Sequence, residues 1–311
     1  MQFRARRPWG ALLLIALLAG STMTVEAVAS PNAKSGAKFE RAVSRPRVTG
    51  RRLAHRRARR PPPGGVYARS AIVLDPATGE VLFAKNAASP VPIASLTKLM
   101  TDQVFLEQHP DLLRGVEVTR TELLGAGHTR LRNHEQVMLG DLLHMSLMCS
   151  DNVATRVLVR ESGLAPEEFL ARMNRKAVEL GLTDTRFVEF TGLDERNVST
   201  ATDIARLLRA AADNGTIREI STTECYDFSS ATRRHRVINT NRLLRNHRLE
   251  ILSGKTGFIN EAGYCLATWI RTEGRDMIAV VLGAPTNATR FADVVRLVQR
   301  TISQSFAPTQ P

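Results

Sequence analysis

Ser95-Leu96-Thr97-Lys98 is the first of three short motifs whose order along the chain decides how the rest of the sequence is interpreted. Ser150-Asp151-Asn152 and Lys255-Thr256-Gly257 follow it in that order. Each string alone occurs by chance in many proteins. Together, the three predict an acyl-transfer site in which a serine hydroxyl is the nucleophile and lysines control its proton.

The first motif is predicted to lie at the start of a helix, where Ser95 and Lys98 share one face. A serine hydroxyl needs a base, and lysine acts as one only when its pKa falls well below the usual value of about 10.4. Burial and a second cation both lower it, and Lys255 is the candidate for that cation. The N–H of Ser95 is also free to bind an oxyanion. Burial is expected because apolar residues spaced for one helix face surround the motif: Leu96, Leu99, Met100 and Val104.

The second motif is predicted to form a loop between two helices, the first over residues 141–148 and the next beginning near Val153. Such a position is also typical of a helix N-cap, and the two roles are compatible. For catalysis we expect Ser150 to pass a proton to the leaving nitrogen. Asn152 is expected to hydrogen-bond the substrate amide and Lys98.

The third motif is predicted to lie near the end of a β-strand, where a substrate chain could add as a further strand. Lys255 would supply positive charge, and the Thr256 hydroxyl would bind a C-terminal carboxylate. Gly257 would remove side-chain bulk from one strand face. The N–H of Phe258 would complete the oxyanion hole. The alternative is an ordinary exposed strand edge with a turn glycine.

The predicted fold class is α/β, more narrowly α+β, with strands at both ends of the domain and helices between them. The two β regions are expected to join in one antiparallel sheet flanked by helices, with a helical subdomain inserted on one side. A cleft between sheet and helices is the natural place for the site. The predicted elements are a hairpin over 70–74 and 80–84 with a turn at 75–79, a meander over 249–258, 264–271 and 276–282, and a last helix over 290–303.

The chain is divided into four segments by its composition. Residues 1–29 are predicted to be a signal peptide, with a basic start, an apolar run and cleavage before Ser30, so the mature protein is expected in the periplasm or cell-wall space. Residues 30–65 are predicted to be a basic disordered linker. Residues 66–306 are predicted to be the catalytic domain, and 307–311 a disordered tail.

The net charge of +13 would suggest nucleic-acid binding if it were spread over the chain. It is not: residues 1–29 carry +2 and residues 30–65 carry +10, which leaves +1 for the rest. We therefore expect no nucleic-acid partner. The linker is either a solvated spacer or an electrostatic contact to an anionic membrane or wall surface.

The cysteines and histidines give no reason to expect a cofactor. Cys149, Cys225 and Cys265 are an odd set that allows at most one disulfide, and small buried apolar roles are favoured. Cys149 precedes Ser150 but lacks the local signature of a cysteine nucleophile, so we interpret it as a bystander. The seven histidines are scattered and form no His-Glu-x-x-His pattern, so no metal is expected.

With these motifs the chain resembles the low-molecular-mass penicillin-binding proteins, which are serine D-alanyl-D-alanine carboxypeptidases and endopeptidases of peptidoglycan. The likeness covers roughly residues 67–303. Besides the three motifs, it rests on Pro92-Ile93-Ala94-Ser95-Leu96-Thr97-Lys98-Leu99-Met100-Thr101, Phe187-Val188-Glu189-Phe190-Thr191-Gly192-Leu193, Asn239-Thr240-Asn241-Arg242-Leu243-Leu244 and Lys255-Thr256-Gly257-Phe258.

The resemblance implies a β-lactamase/transpeptidase-like fold, peptidoglycan stem peptides as substrates and β-lactam antibiotics as covalent inhibitors. It implies that Ser95 is the acyl-enzyme nucleophile, Lys98 the general base and Lys255 a substrate-binding cation. Within the family, the residues 127–132 and 255–266 are most similar to the endopeptidase branch.

Two alternatives share parts of this pattern. A class A β-lactamase would need a glutamate four residues before an asparagine, after the second motif, and the residue four before Asn174 is Leu170. A non-catalytic protein that binds wall peptides would have no need of three intact motifs. The sequence therefore favours a peptidase, and it leaves open whether a terminal D-Ala or a cross-link is cut.

Overall fold

The computed structural model describes residues 65–305, with the side chains of 304 and 305 excepted. The predicted signal peptide, residues 30–64 of the predicted linker, residue 306 and the predicted tail lie outside the described residues. The sequence-based boundaries of these segments stay predictions.

The strands lie mostly at the two ends of the described chain. In chain order they are β1 (Ser70–Leu74), β2 (Val81–Lys85), β3 (Val91–Pro92), β4 (Gly115–Glu117), β5 (Gln136–Met138), β6 (Val198–Ser199), β7 (Cys225–Ser229), β8 (Arg234–Ile238), β9 (Glu250–Ile259), β10 (Gly263–Thr272) and β11 (Arg275–Ala284). The hairpin and the meander predicted from sequence are confirmed as β1–β2 and β9–β11. The short pairs β3–β6, β4–β5 and β7–β8 were not predicted.

The helices fill the middle of the chain and close it. They are α1 (Lys98–Leu106), α2 (Arg120–Leu123), α3 (Leu139–Cys149), α4 (Asn152–Arg160), α5 (Pro166–Glu179), α6 (Ala201–Asp213), α7 (Gly215–Thr222) and α8 (Asn287–Ser305). The expectation that a regular helix starts at Ser95 is wrong by three residues. A 3₁₀ turn, Ala94–Thr97, precedes α1, and the backbone of Ala94 has a positive φ of 50°, which an α-helix does not allow.

The five long strands form one sheet in the order β2-β1-β11-β10-β9. The first strand pairs antiparallel with the last, from Ser70 opposite Leu282 to Leu74 opposite Ile278. The predicted joining of the two β regions is thus confirmed. At the far side of the sheet, β9 is an edge strand, which leaves the third motif beside an unpaired strand edge.

The turn of the first hairpin is fixed by a side chain. Oδ1 of Asp75 accepts hydrogen bonds from the N–H groups of Ala77 (2.7 Å) and Thr78 (3.1 Å), and the N–H of Gly79 donates to the carbonyl of Asp75 (2.9 Å). An aspartate that binds the backbone two residues ahead is a strong turn former. The turn therefore follows from local sequence alone.

Both faces of the sheet are buried, against different layers. On β1, Ile72 and Leu74 belong to the core shared with the helical subdomain. Ala71 and Val73 face the other way and pack in the core with α8. Alternate residues of a strand point to opposite faces, so a strand covered on both sides is apolar throughout. Within 65–305, no helix has the length and hydropathy needed to cross a bilayer.

Candidate active site

The first motif lies where the 3₁₀ turn enters α1. Lys98 is fully buried, and its Nζ lies 3.3 Å from Oγ of Ser95. It also donates to Oδ1 of Asn152 (2.7 Å) and to the carbonyl of Thr191 (2.6 Å). The turn therefore presents the serine half-buried, with a lysine amine beneath it that is held by two further acceptors.

The second motif forms the tight link between α3 and α4. Ser150 has a left-handed backbone (φ 61°, ψ 35°), a conformation that costs a non-glycine residue on the order of 1 kcal/mol or more. Asp151 is the N-cap of α4 and accepts a hydrogen bond from the N–H of Ala154 (3.0 Å), so the expected capping role is present. Asn152 bridges the site: it accepts from Lys98 and donates to the carbonyl of Ala126 (2.8 Å).

The third motif lies on the edge strand β9, opposite the second. Lys255 is 1% exposed, and its Nζ donates to Oγ of Ser150 and to the carbonyl of Thr256 (3.1 Å). The hydroxyl of Thr256 lies 2.6 Å from that of Thr240. The structure thus brings all three motifs into one cluster, with Ser95 and Ser150 each beside its own buried lysine.

Gly257 is needed for packing within the protein, in addition to removing side-chain bulk from the strand face as expected from sequence. A Cβ at this position would lie 2.9 Å from the carbonyl oxygen of Ile93 and 3.1 Å from the backbone nitrogen of Ser95. The strand therefore passes directly against the turn that carries the serine, and only glycine allows that distance. Phe258, the next residue of β9, is 45% exposed, and its ring stacks on that of Tyr264 with 4.2 Å between ring centroids.

Burial sets the electrostatics of the two lysines. Burial lowers the pKa of Lys98 to about 8, against the opposing effect of the negative charges of Glu189 and Asp102. Burial, and then the positive charge of Lys98, lower the pKa of Lys255 to about 7. The repulsion between the two cations is thus seen at Lys255, whereas at Lys98 the lowering comes from burial. Near neutral pH the two amines cannot both keep their protons without cost, so one of them is available as a base.

Glu189 shapes the site although sequence reasoning gave it no role. Its carboxylate accepts hydrogen bonds from the N–H (2.7 Å) and hydroxyl (2.7 Å) of Thr191 and from the N–H of Gly192. This fixes the loop whose carbonyl at Thr191 binds Lys98. A Cβ on Gly192, where φ is 84°, would overlap the carbonyl of Ala94, so the loop also packs against the serine turn. The only sequence signal was the family-like stretch 187–193.

Asp102 is a second residue that sequence reasoning missed. It lies one turn after Lys98 on α1 and is fully buried. Oγ of Ser146 donates to both carboxylate oxygens (3.0 and 2.9 Å) and lies 2.9 Å from Oγ1 of Thr155. Burial raises the pKa of Asp102 to about 7, while the Ser146 hydrogen bond and the charges of Lys98 and Lys255 oppose that rise. A titratable carboxyl therefore lies below the two lysines.

The cysteines stand apart from the chemistry. All three are free thiols. Burial raises the pKa of Cys149 to about 11, which keeps it a protonated thiol, a poor nucleophile, next to Ser150. Cys265 is buried, but Cys225 is exposed, contrary to the expected buried role, because it lies on the outward face of β7. No group of three or more His, Cys, Asp or Glu side chains positioned for a metal occurs within residues 65–305.

This fold and cleft are those of known penicillin-binding enzymes. Residues 56–286 match the peptidase S11 family, described as D-alanyl-D-alanine carboxypeptidase. The crystal structure of the Streptomyces K15 DD-transpeptidase superimposes with a TM-score of 0.72 and 26% sequence identity, covering 76% of this chain and 98% of that one. The chain therefore belongs to the D-alanyl-D-alanine carboxypeptidase family, and it is a serine-type peptidase with the penicillin-binding fold.

Individual relatives narrow the similarity further. The chain is 38% identical over 232 residues to a D-alanyl-D-alanine endopeptidase of Pseudomonas aeruginosa, covering 73% of this chain and 75% of that protein. A D-alanyl-D-alanine endopeptidase of Escherichia coli K12 is 35% identical over 232 residues, with the same shares covered. The predicted likeness to endopeptidases of the penicillin-binding protein 7 type is thus confirmed.

Proposed function

We propose that this protein is an exported endopeptidase that opens the D-alanyl cross-links of peptidoglycan through a Ser95 acyl-enzyme. The observation that carries the proposal is the pairing in one cleft of Ser95 with Lys98 and of Ser150 with Lys255. One pair suits attack on the D-Ala carbonyl, and the other suits release of the amine. The names of the relatives at 38% and 35% identity support the choice of bond.

The first half of the reaction uses the first motif and the edge strand. The stem peptide adds alongside β9, and its D-Ala carbonyl lies between the N–H groups of Ser95 and Phe258. Neutral Lys98 takes the proton of the Ser95 hydroxyl as Oγ attacks the carbonyl carbon. The negative charge that develops on the carbonyl oxygen is stabilised by the two N–H donors.

The second half uses the second motif. The C–N bond breaks, and the leaving nitrogen takes a proton from Ser150, which is resupplied from Lys255. The remaining ester links D-Ala to Ser95. The proton that Lys98 took from Ser95 then passes to the Ser150–Lys255 pair, so Lys98 is neutral again and Lys255 regains its proton. A water molecule attacks the ester, Lys98 takes a proton from this water, and that proton returns to Ser95 Oγ as the acid leaves. Penicillin acylates Ser95 by the same first half of the reaction and is therefore a covalent inhibitor.

A carboxypeptidase activity at the same site is the second candidate, and one contact favours it. The hydroxyl of Thr256, next to Lys255 in sequence, lies 2.6 Å from that of Thr240, which itself donates to the carbonyl of Met148 (3.0 Å), so the Thr256 hydroxyl is the donor available to a C-terminal carboxylate. A terminal D-Ala would be held there as the leaving group. The D-alanyl-D-alanine carboxypeptidase DacF of Bacillus subtilis, 31% identical over 246 residues, is a relative with that named activity.

Export is part of the proposal. The basic start, apolar run and small residues of 1–29 support cleavage before Ser30 and release into the periplasm or cell-wall space. Residues 30–65 would then be a basic tether, able to contact anionic membrane or wall polymers. Sequencing of the mature N-terminus tests this: we expect Ser30 as the first residue, and a protein that keeps residues 1–29 would contradict it.

The direct test is mass spectrometry of wall fragments incubated with the mature protein, with and without penicillin. A cross-linked dimer and a pentapeptide monomer are supplied separately. We expect penicillin-sensitive splitting of the dimer, and loss of one alanine from the monomer only if the carboxypeptidase activity is also present. Ser95→Ala should abolish both penicillin labelling and cleavage. Turnover retained in Ser95→Ala would contradict the mechanism.

A further inference from the structure

A cationic pocket opens beside the second motif. It has a volume of about 230 Å³ and lies between the loop that carries His128 and Arg130, the end of α3 at Cys149, and strand β8 at Arg236. This feature, here called the side pocket, contains none of the residues assigned above to bond cleavage. It includes part of the stretch 127–132 that the sequence set apart and that the proposed chemistry leaves unused.

The free charge of the side pocket is positive. Asp151 lines it, but this carboxylate is buried and already accepts hydrogen bonds from Oγ1 of Thr129 (2.8 Å) and the N–H of Ala154 (3.0 Å). His235 also lines it, and its Nε2 is held 2.6 Å from the buried carboxylate of Glu135. The acidic and basic groups in the floor are thus engaged with other protein groups.

Arg130 differs from these floor residues. It is exposed, and its one hydrogen bond to a residue within 65–305 runs from Nη1 to the carbonyl of Arg236 (2.9 Å). That bond holds the guanidinium over the pocket, and its other N–H groups have no partner among those residues. No acidic side chain in the described part of the chain forms an ion pair with it. Arg236, by contrast, forms an ion pair, because its Nε lies 3.3 Å from Oδ1 of Asp227. A guanidinium fixed at one nitrogen and open at the others suits a carboxylate ligand.

The position of the side pocket relates it to the leaving group. Cys149 and Asp151, which line it, are the neighbours in sequence of Ser150. In the proposed reaction Ser150 gives its proton to the leaving nitrogen, so the amine side of the substrate departs past this residue. A terminal D-Ala is small and ends at its carboxylate. The amine side of a cross-link is a second stem peptide, which extends further and carries additional carboxylates.

We propose that Arg130, with His128 beside it, binds a carboxylate of the amine-side stem peptide and so makes the cleft selective for cross-linked peptides. This proposal rests on the endopeptidase function proposed above. The ligand is a carboxylate of that stem peptide beyond the carbon that carries the leaving amine, because a terminal D-Ala also has a carboxylate on that carbon. Arg130 acts here as a specificity residue and takes no part in breaking the bond.

The test compares kcat/KM for a diaminopimelate cross-linked dimer with the rate of penicillin acylation. Arg130→Gln should lower kcat/KM for the dimer about 10- to 100-fold, because a hydrogen bond between charged partners is lost. Arg130→Lys should recover part of that loss. Penicillin carries no second stem peptide, so its acylation rate should be unchanged in both variants. Arg175→Gln, an exposed arginine on α5, is the matched control and should behave as wild type.

A second substrate separates binding from packing. When the carboxylates of the amine-side stem peptide other than the one next to the leaving amine are amidated, wild-type enzyme should cleave the dimer as slowly as Arg130→Gln cleaves the unmodified one. Arg130→Gln should show no further loss on the amidated dimer. A variant that cleaves the unmodified dimer at the wild-type rate, or that loses penicillin acylation to the same degree, would overturn the specificity role.

The failure of the proposed function has a different signature. A wild-type protein that binds penicillin but cleaves only the pentapeptide monomer would contradict the endopeptidase function, and the side-pocket proposal with it. A wild-type protein that splits the dimer while Arg130→Gln splits it equally well would leave the endopeptidase function intact and overturn the side pocket alone.

Discussion

Nζ of Lys98 lies 2.7 Å from Oδ1 of Asn152, closer than the 3.3 Å that separates it from Oγ of Ser95. The first motif is thus tied to the second through the lysine rather than through the serine. The amide nitrogen of the same Asn152 donates to the carbonyl of Ala126. One asparagine therefore orients the base and fixes the loop in front of the cleft.

Replacing Asn152 by alanine should slow penicillin acylation about 10-fold or more, with a much smaller effect on folding. The substitution removes one of the acceptors that position Lys98, and a misplaced base loses much of its advantage. Stopped-flow acylation with a fluorescent penicillin measures the rate, and circular dichroism checks the fold. Asn133→Ala is the control, because Asn133 is exposed. Asn174→Ala would not be suitable, because the Asn174 side chain hydrogen-bonds the backbone of Phe187 and its loss would disturb that buried loop. An unchanged acylation rate in Asn152→Ala would contradict the positioning role.

Acylation by penicillin should rise with pH through the range from about 7 to about 8 and then level off. The pKa of Lys98 is lowered by burial to about 8, and that of Lys255 to about 7. Both shifts are downward, so the amine pair loses its first proton as pH rises through this window and the base becomes available. Rates between pH 5 and 9.5 would test this. A midpoint near 10, the value of an ordinary lysine, would contradict a buried base.

The change of Asp102 to asparagine should stabilise the protein at pH 8 and have little effect near pH 3. Burial raises the pKa of Asp102 to about 7, so the folded state keeps this proton at pH values where the unfolded chain has lost it. Stability from this group is therefore fully present below about pH 4, is lost progressively as the pH rises, and is gone once the pH has passed about 7. Asparagine stays neutral and can still accept from Ser146. Thermal unfolding at the two pH values measures the difference, expected at about 1–3 kcal/mol at pH 8.

The same Asp102→Asn variant should shift the pH profile of acylation to lower pH. The negative charge of Asp102 raises the pKa of Lys98, and the variant removes that charge. Ser146→Ala, which removes the hydrogen-bond donor to the carboxylate, is the companion variant. Because that hydrogen bond lowers the pKa of Asp102, its loss should raise this pKa further. A variant Asp102→Asn with the wild-type pH midpoint would show that the carboxylate does not act on the lysine pair.

The sheet and the three motifs could be predicted because their signals are local. The turn at Asp75 follows from an aspartate bonding to its own neighbours, and the meander from apolar runs separated by turn residues. The motifs could be recognised because each combines particular residue types at fixed positions within a short string. Their meeting in one cleft follows once the first and last strands are paired, as Ser70 with Leu282 shows.

The parts of the site that could not be predicted depend on backbone groups and on burial. The acceptor for Lys98 at Thr191 is a carbonyl, which every residue possesses, and Glu189 acts by binding the backbone of its own loop. Asp102 looks like a solvent-facing helix residue in sequence. It is buried because other helices cover α1 on nearly all sides, and no local pattern records that.

Gly257→Ala should abolish acylation and destabilise the fold by about 1–3 kcal/mol. The added methyl group would lie 2.9 Å from the carbonyl oxygen of Ile93 and 3.1 Å from the nitrogen of Ser95, and both neighbours are backbone atoms that cannot turn aside. Either β9 or the serine turn must shift, and the distance between the oxyanion N–H groups changes with it. Penicillin labelling and thermal unfolding report the two effects.

Gly115→Ala is the matched control for that variant. Gly115 also lies in a strand, its φ is not in the left-handed region, and nothing lies within 4 Å of the place where a Cβ would be. It should label with penicillin at the wild-type rate and unfold at nearly the wild-type temperature. If Gly257→Ala behaves as this control does, then the edge strand and the serine turn are further apart than 3.1 Å implies, and the glycine serves substrate access alone.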